Sequence, residues 1–386
     1  MIKSTRIITA ATYSSMLFLG ISSSLIGAAA RNIGLTPFEI GLMIASQNIG
    51  FMISVLASGA LADRLEKPRI LLVGSLILSP ALLSYYLFHV FEVNLLLMFL
   101  VGAGIGTYEG VTDALLLDIH PQRAALHINI NHFFVTMGSI FITLYLILLQ
   151  MDWRKAVIQA GILVLVLAII FFLVKLENPL TRVEPYFRKI QLLARERLII
   201  TFFIAMVAVV GVEAGSIGVL TTFLMDLRGF TQITSKIGLV VFLIGIAVGR
   251  ILLGALTPKE SITRYIVLLF GASTAVFTFM YFIDLGPMNY LVIFLAGLAT
   301  SALLPLMLAY TGLVYRNMVG TALSSIKVAI PLGGILIPFM MSLVVRVAGF
   351  QASLWIFPAA FLLSLILLHR TLNQGSPIAL DNPQVH

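Results

Sequence analysis

Two acids four residues apart inside an apolar run are the first groups in this chain that could do chemistry. They are Glu109 and Asp113, in Gly102-Ala103-Gly104-Ile105-Gly106-Thr107-Tyr108-Glu109-Gly110-Val111-Thr112-Asp113. On a helix this spacing puts both carboxyls on one face, and an acid surrounded by hydrocarbon is costly unless it faces a cavity or a partner. Such carboxyls can take up a proton at one face of a membrane and release it at the other; for Asp113, plain hydration near the inner interface is the competing reading. Further on, Asn129-Ile130-Asn131-His132 puts Asn129 and His132 on one helix face. Imidazole changes charge near neutral pH, so relaying a proton with Glu109 or Asp113, bonding a polar ligand and anchoring the helix start are all open to His132. A third acid, Glu213, stands among small residues in Gly211-Val212-Glu213-Ala214-Gly215-Ser216, and Lys327 lies in an apolar run near Pro331 and the Gly333-Gly334 pair. A lone cation in hydrocarbon is costly, so a Glu213–Lys327 contact is expected. Gln47 and Asn48 suit hydroxyl-rich ligands or, equally, interhelical hydrogen bonds of roughly 0.6 kcal/mol each.

These groups need membrane helices to hold them. The chain has 386 residues, 60% hydrophobic and 10% charged, against roughly 25% charged in a soluble domain. With a mean hydropathy of +1.07, a soluble fold is excluded. A span needs about 20 apolar residues to cross about 30 Å of hydrocarbon. Apolar runs between charges and turn residues give twelve spans, at roughly 8–29, 39–62, 69–90, 94–118, 126–150, 156–175, 198–225, 234–256, 263–283, 287–315, 319–346 and 350–369. Lys3, Arg6 and Ala28-Ala29-Ala30 imitate a signal peptide, but this run is as long as a full span and is read as one. Gly102, Gly106 and Gly110 form a smooth stripe for close helix approach. Pro305, Pro331, Pro338 and Pro358 read as kinks, and aromatics such as Phe133, Phe134, Tyr310 and Tyr315 as packing.

The net charge of +8 sits between spans, where it reports topology and not nucleic acid. With the N-terminus inside, seventeen of the 24 Lys and Arg fall on the cytoplasmic side, Arg250 among them. Arg31, Arg154, Lys155, Arg228, Lys236 and Arg346 fall outside, and Lys327 is the one basic residue placed well within a span. Both termini are therefore expected in the cytoplasm of an inner (plasma) membrane protein. The organisation is an N-terminal six-helix bundle (1–175), a basic cytoplasmic linker (176–197), a C-terminal six-helix bundle (198–370) and a tail (371–386). In the linker, Tyr186, Ile190 and Leu193 recur at helical spacing among basic residues, which fits an amphipathic surface helix or a solvated linker.

Between the second and third spans stands Gly59-Ala60-Leu61-Ala62-Asp63-Arg64-Leu65-Glu66-Lys67-Pro68-Arg69. A carboxylate and several cations in a short interfacial turn suit a gate, since charge pairs and helix-end dipoles can form in one state and break in another. With twelve spans around it, this loop resembles the signature of the major facilitator superfamily, Gly-x-Leu-Ala-Asp-Arg-x-Gly-Arg-Lys, departing at Glu66 and Pro68. The resemblance implies an all-α fold of twelve helices in two six-helix bundles, with Gly59, Asp63, Arg64, Lys67 and Arg69 gating. A weaker second copy, Gly249-Arg250 with Gly254-Ala255-Leu256-Thr257-Pro258-Lys259, lacks the Asp and adds Arg250 to the gate. Glu109, Asp113, Pro121, Arg123, Asn129, His132 and Gly138 further resemble the fucose permease-like branch, which implies sugar and proton symport. Asp113 stands where that branch usually has Asn and Thr136 where its first glycine is common, and the first span offers only Thr12, Ser14 and Ser15 in place of an acid.

No Gly-x-x-x-x-Gly-Lys-Ser/Thr occurs to cradle a nucleotide, so the chain has no ATPase of its own. With no Cys there is no disulfide or thiolate, no metal-ligand cluster is visible in the sequence, and the acid pair sits on one helix instead of facing across a cleft. An enzyme is therefore not expected, nor any cofactor. The expectation is a monomeric secondary carrier in the lipid bilayer. Its coupling groups are Glu109, Asp113, Glu213 and His132, moving H⁺ or Na⁺ with a small solute. Gln47, Asn48, Asn129, Asn131 and Lys327 are the substrate-binding candidates. The alternative is an exporter or flippase for drugs or lipid-like amphiphiles, which a cleft open to lipid would favour.

Overall fold

A computed structural model describes residues 4–33, 37–149, 152–174 and 191–373. Most of the linker, with Tyr186 and Ile190, and the end of the tail lie outside the described residues, as do the side chains of Arg31 and Lys236. The first six spans are α1 (Thr5–Ile33), α2 (Pro37–Ala62), α3 (Lys67–Ser84), α4 (Phe91–Ile119), α5 (Ala124–Leu148) and α6 (Trp153–Leu173). The next three are α7 (Arg197–Arg228), α8 (Gln232–Leu256) and α9 (Ile262–Phe282). Two pieces each make the tenth span, α10 (Asn289–Ser301) and α11 (Leu303–Val314), the eleventh, α12 (Val319–Lys327) and α13 (Ala329–Ala348), and the twelfth, α14 (Phe350–Ser353) and α15 (Ile356–Asn373). Among the described residues, twelve stretches are long and apolar enough to cross a membrane.

The interruptions have a common cause. Proline lacks the N–H that would bond the carbonyl four residues back, which leaves Ser301 without its partner from Pro305, Lys327 without its partner from Pro331, and Leu354 without its partner from Pro358. The breaks fall there, at Ala302, Val328 and Leu354. α13 runs on through Pro338.

The chain forms two compact units. One comprises Met1–Pro121, Ile130–Ile190 and Arg316–Ser325, the other Gln122–Asn129, Gln191–Tyr315 and Ile326–His386. Within the first, α2 packs along α4, and α3 lies against α4 and α6. Within the second, α8 packs along α10, α9 against α15 and α7 against α13. In both units the second span pairs with the fourth and the third with the sixth, as in an internal repeat. Glycine makes the pairing possible. A Cβ on Gly102 or Gly106 would overlap the backbone of Gln47 or Phe51, and one on Gly245 or Gly297 the backbone of Phe294 or Phe242. Large apolar side chains such as Leu96, Phe172 and Ile335 stay about 60% exposed, the arrangement expected of surfaces facing lipid. Outside the spans, Asp152 accepts from the side chain and backbone N–H of Lys155, and Asp284 from the Asn289 amide and the Gly286 N–H. These bonds hold both carboxyls below their ordinary range.

Candidate functional site

α4 is the inner helix of the first unit, buried continuously from Gly104 to Leu117, and its polar groups meet those of α5. Asp113 is wholly buried and accepts from the Asn131 amide at 2.8 Å, with His132 Nε2 at 3.2 Å from its other oxygen. Glu109 Oε1 lies 4.0 Å from the same His132 nitrogen. Asn131 also donates to Thr112 Oγ1 at 3.0 Å, and Thr112 in turn points its hydroxyl at Met16 Sδ. Glu109, Asp113 and His132 offer atoms within 4.8 Å of one another.

Asp113 is not a hydrated interfacial acid but the hub of the cluster, and His132, 5% exposed, is no surface anchor. The expectation of no metal-ligand cluster fails geometrically, because the fold brings His132 of α5 to the two acids of α4. Asn129 does not join His132: its amide donates to Ala125 O within α5, and it packs against Gly254 in the second unit. Asn131 serves Asp113 and Thr112. The Gln47 amide bonds Ser22 O of α1 at 3.1 Å, the interhelical alternative, whereas Asn48 bonds back to Ile44 O of its own helix.

In the second unit Glu213 of α7 pairs with Arg250 of α8, Nη2 to Oε1 at 3.3 Å. The expected Glu213–Lys327 contact is thus replaced. Arg250 lies within α8 and is 7% exposed, so it is no loop cation and Lys327 is not the only basic residue inside a span. The missed signal was in the sequence: a cation inside an apolar run calls for an acid, and Arg250 met that description as well as Lys327 did. Lys327 itself is fully buried, at the last residue of α12.

The 59–69 loop belongs to the first unit together with Arg316–Ser325. Asp63 Oδ1 accepts from the Gly320 N–H at 2.8 Å, and Oδ2 from the Thr321 N–H at 3.0 Å and from the Thr321 hydroxyl. The acid therefore caps the otherwise unsatisfied N–H groups at the start of α12 and meets its positive dipole end. Gly59 permits the crossing, since a Cβ there would strike Ser324. Lys67, 7% exposed, bonds Asp118 at the end of α4 at 2.7 Å, while Arg69 is exposed and reaches Glu66 at 3.4 Å. Arg64 is exposed. The departures from the signature are harmless: Glu66 has φ −58°, which any residue adopts, and Pro68 sits in the first turn of α3, where proline is tolerated. Gly320, Thr321, Thr112 and Asp118 were missed, and nothing local in the sequence marks them.

Twelve spans among the described residues, arranged in repeated units with ionisable groups inside the helices, define a polytopic membrane protein. The chain belongs to the Major Facilitator Superfamily, whose family model matches residues 8–297, and it is accordingly a transporter and not an enzyme. Its fold is similar to the fucose:proton symporter of E. coli (TM-score 0.78, 17% identity, covering 96% of this chain and 99% of that one). It is also similar to the human organic anion transporter TETRAN (0.77, 15%, 95% and 100%) and to a proton:xylose symporter (0.71, 14%, 95% and 95%). At these identities the likeness concerns the fold. No curated protein sequence matches the chain.

Proposed function

We propose that this chain is a proton-coupled secondary carrier for a small hydrophilic solute, a sugar or other polar metabolite, working by alternating access. The observation that carries the reading is the buried cluster of Glu109, Asp113 and His132, with atoms within 4.8 Å of one another. Two carboxyls and an imidazole on adjoining helices can hold and pass a proton without water. Asn131 orients Asp113 in that scheme. Asp63 on the start of α12 acts as a latch: its hydrogen bonds hold one state and break in the other. Arg250, held by Glu213, and Lys327 give the second unit a cationic interior suited to a solute that carries hydroxyls or a carboxylate. The protein works as a monomer with both termini in the cytoplasm.

Counterflow in proteoliposomes with labelled sugars, organic acids and amphiphiles identifies the solute, and an imposed pH gradient then tests coupling. Accumulation driven by a Na⁺ gradient and indifferent to pH would overturn the proton reading, and uptake confined to amphiphiles would favour an exporter or flippase. Orientation is checked on this naturally Cys-free chain by placing a Cys at Gln191. Its modification by an impermeant reagent added outside intact cells would reverse the topology.

A further inference from the structure

The gate loop has a counterpart in the second unit that lacks its acid. Gly59-Ala60-Leu61-Ala62-Asp63-Arg64 aligns without gaps on Gly254-Ala255-Leu256-Thr257-Pro258-Lys259. The helix starts that receive these loops also correspond. A three-residue turn, Arg316–Met318, leads into α12 at Val319, and another, Pro121–Arg123, leads into α5 at Ala124. Gly59 packs on Ser324, the sixth residue of α12; Gly254 packs on Asn129, the sixth residue of α5. In the first unit Asp63 fills the dock and takes up the first N–H groups of α12. In the second unit Pro258 stands at the Asp63 position and has no carboxylate to offer.

A cavity of about 510 Å³ lies at this second dock. Its lining includes Arg123, Lys259 and Gln122 together with Leu126, Leu256 and Ile262, and among the described residues no acid lines it. The nearest acid in sequence, Glu260, is exposed and outside the lining. The walls are fixed from behind. Asn129 is fully buried and tied to Ala125 O, a Cβ on Gly254 would strike it, and the Thr257 hydroxyl is spent on Leu253 O. Asn129 Oδ1, buried beneath this wall, has no hydrogen-bond partner among the described residues. The cavity sits where α8 ends and α5 begins, at the edge of two spans.

We infer that this cavity binds the phosphate group of an acidic phospholipid, which supplies the negative charge that Asp63 supplies in the first unit. Two cations and a helix start facing an acid-free cavity suit a phosphate, and the adjoining Leu126, Leu256 and Ile262 suit the glyceride end of a lipid. The lipid bridges the 254–259 turn to α5 and so steadies the second dock. The inference is independent of the proton-coupling reading.

The test measures thermal unfolding and native mass spectra of the detergent-solubilised protein with phosphatidylglycerol, phosphatidylcholine or inorganic phosphate. Phosphatidylglycerol is expected to be retained and to raise the apparent Tm by about 5 °C at saturation, with phosphatidylcholine much weaker. The double variant Arg123→Gln/Lys259→Gln should lose that increment and keep its lipid-free Tm. Pro258→Asp, which restores the carboxylate, should raise the lipid-free Tm and shrink the response to lipid, and it decides the matter if the double variant fails to fold. An equal response to phosphatidylcholine, or an undiminished response to phosphatidylglycerol in either variant, would overturn the proposal. A full increment from inorganic phosphate alone would overturn the lipid as its source.

Discussion

The two units keep their intramembrane charges in different ways. In the first, Glu109 and Asp113 both face the His132 imidazole, and Asp113 also accepts from the Asn131 amide. In the second, Glu213 is set directly against Arg250, a guanidinium that stays protonated at any physiological pH. An imidazole can exchange a proton near neutral pH, whereas a guanidinium does not. The first arrangement suits a moving proton and the second a fixed architectural charge. From the sequence Glu213 is a coupling candidate alongside Glu109, Asp113 and His132; its pairing with Arg250 gives it different surroundings, and the variants below test its role.

The sharpest way to break this comparison is to remove titration from each side in turn. Glu109→Gln and Asp113→Asn keep hydrogen-bonding capacity and lose the proton, so each should bring gradient-driven accumulation down to background while solute binding survives. Glu213→Gln should leave accumulation driven by the pH gradient. Uphill transport at the wild-type rate in Glu109→Gln and Asp113→Asn, together with its loss in Glu213→Gln, would exchange the roles of the two units.

Stability should respond in the opposite sense. Arg250→Gln strands Glu213, and removing one partner of a buried pair costs roughly 3–5 kcal/mol. The Glu213 side chain is 23% exposed, which places the loss at the lower end of that range, a fall in Tm on the order of 5 °C. The double variant Arg250→Gln/Glu213→Gln should recover much of it. A larger loss in the double variant than in Arg250→Gln alone would mean that the pair is not the reason for Arg250.

The spans were legible because hydrophobicity over about 20 residues is a local property, and the three helix breaks could be read from their prolines. The polar sites were legible as residue types but not as partnerships. Glu109 and Asp113 could be set on one face from their spacing. That Asp113, and not Glu109, receives both Asn131 and His132 depends on how α5 is rotated against α4, which the sequence does not state. Asp63 was recognisable from its loop, yet its hydrogen-bond donors, Gly320 and Thr321, lie far along the chain at the start of the eleventh span. The Arg250 error had a different origin. Arg250 stands near the end of its span, and its burial depends on the packing of α7 against α8, which brings Glu213 to it.

The Asp63 latch gives a smaller, conformational effect. Asp63→Asn keeps one carbonyl acceptor and loses the charge facing the start of α12. Such a helix-end interaction contributes about 1 kcal/mol, up to about 2 when partly buried, so turnover should fall roughly tenfold while affinity in detergent changes little. Loss of binding with both faces still normally accessible would make Asp63 a ligand and not a latch.

The smallest effect is expected at Gln47, where the choice between ligand and structural bond was left even by the sequence. Its amide nitrogen is engaged by Ser22 O and the side chain is 6% exposed, which commits the amide to the interhelical bond. An interhelical bond of this kind is worth about 0.6 kcal/mol on average. Gln47→Ala should therefore lower the Tm by about a degree and leave the affinity for the solute within twofold or so of wild type, a change near the limit of a transport assay. A tenfold loss of affinity at unchanged Tm would reverse the assignment and would place solute contacts on the face of α2 that meets α1.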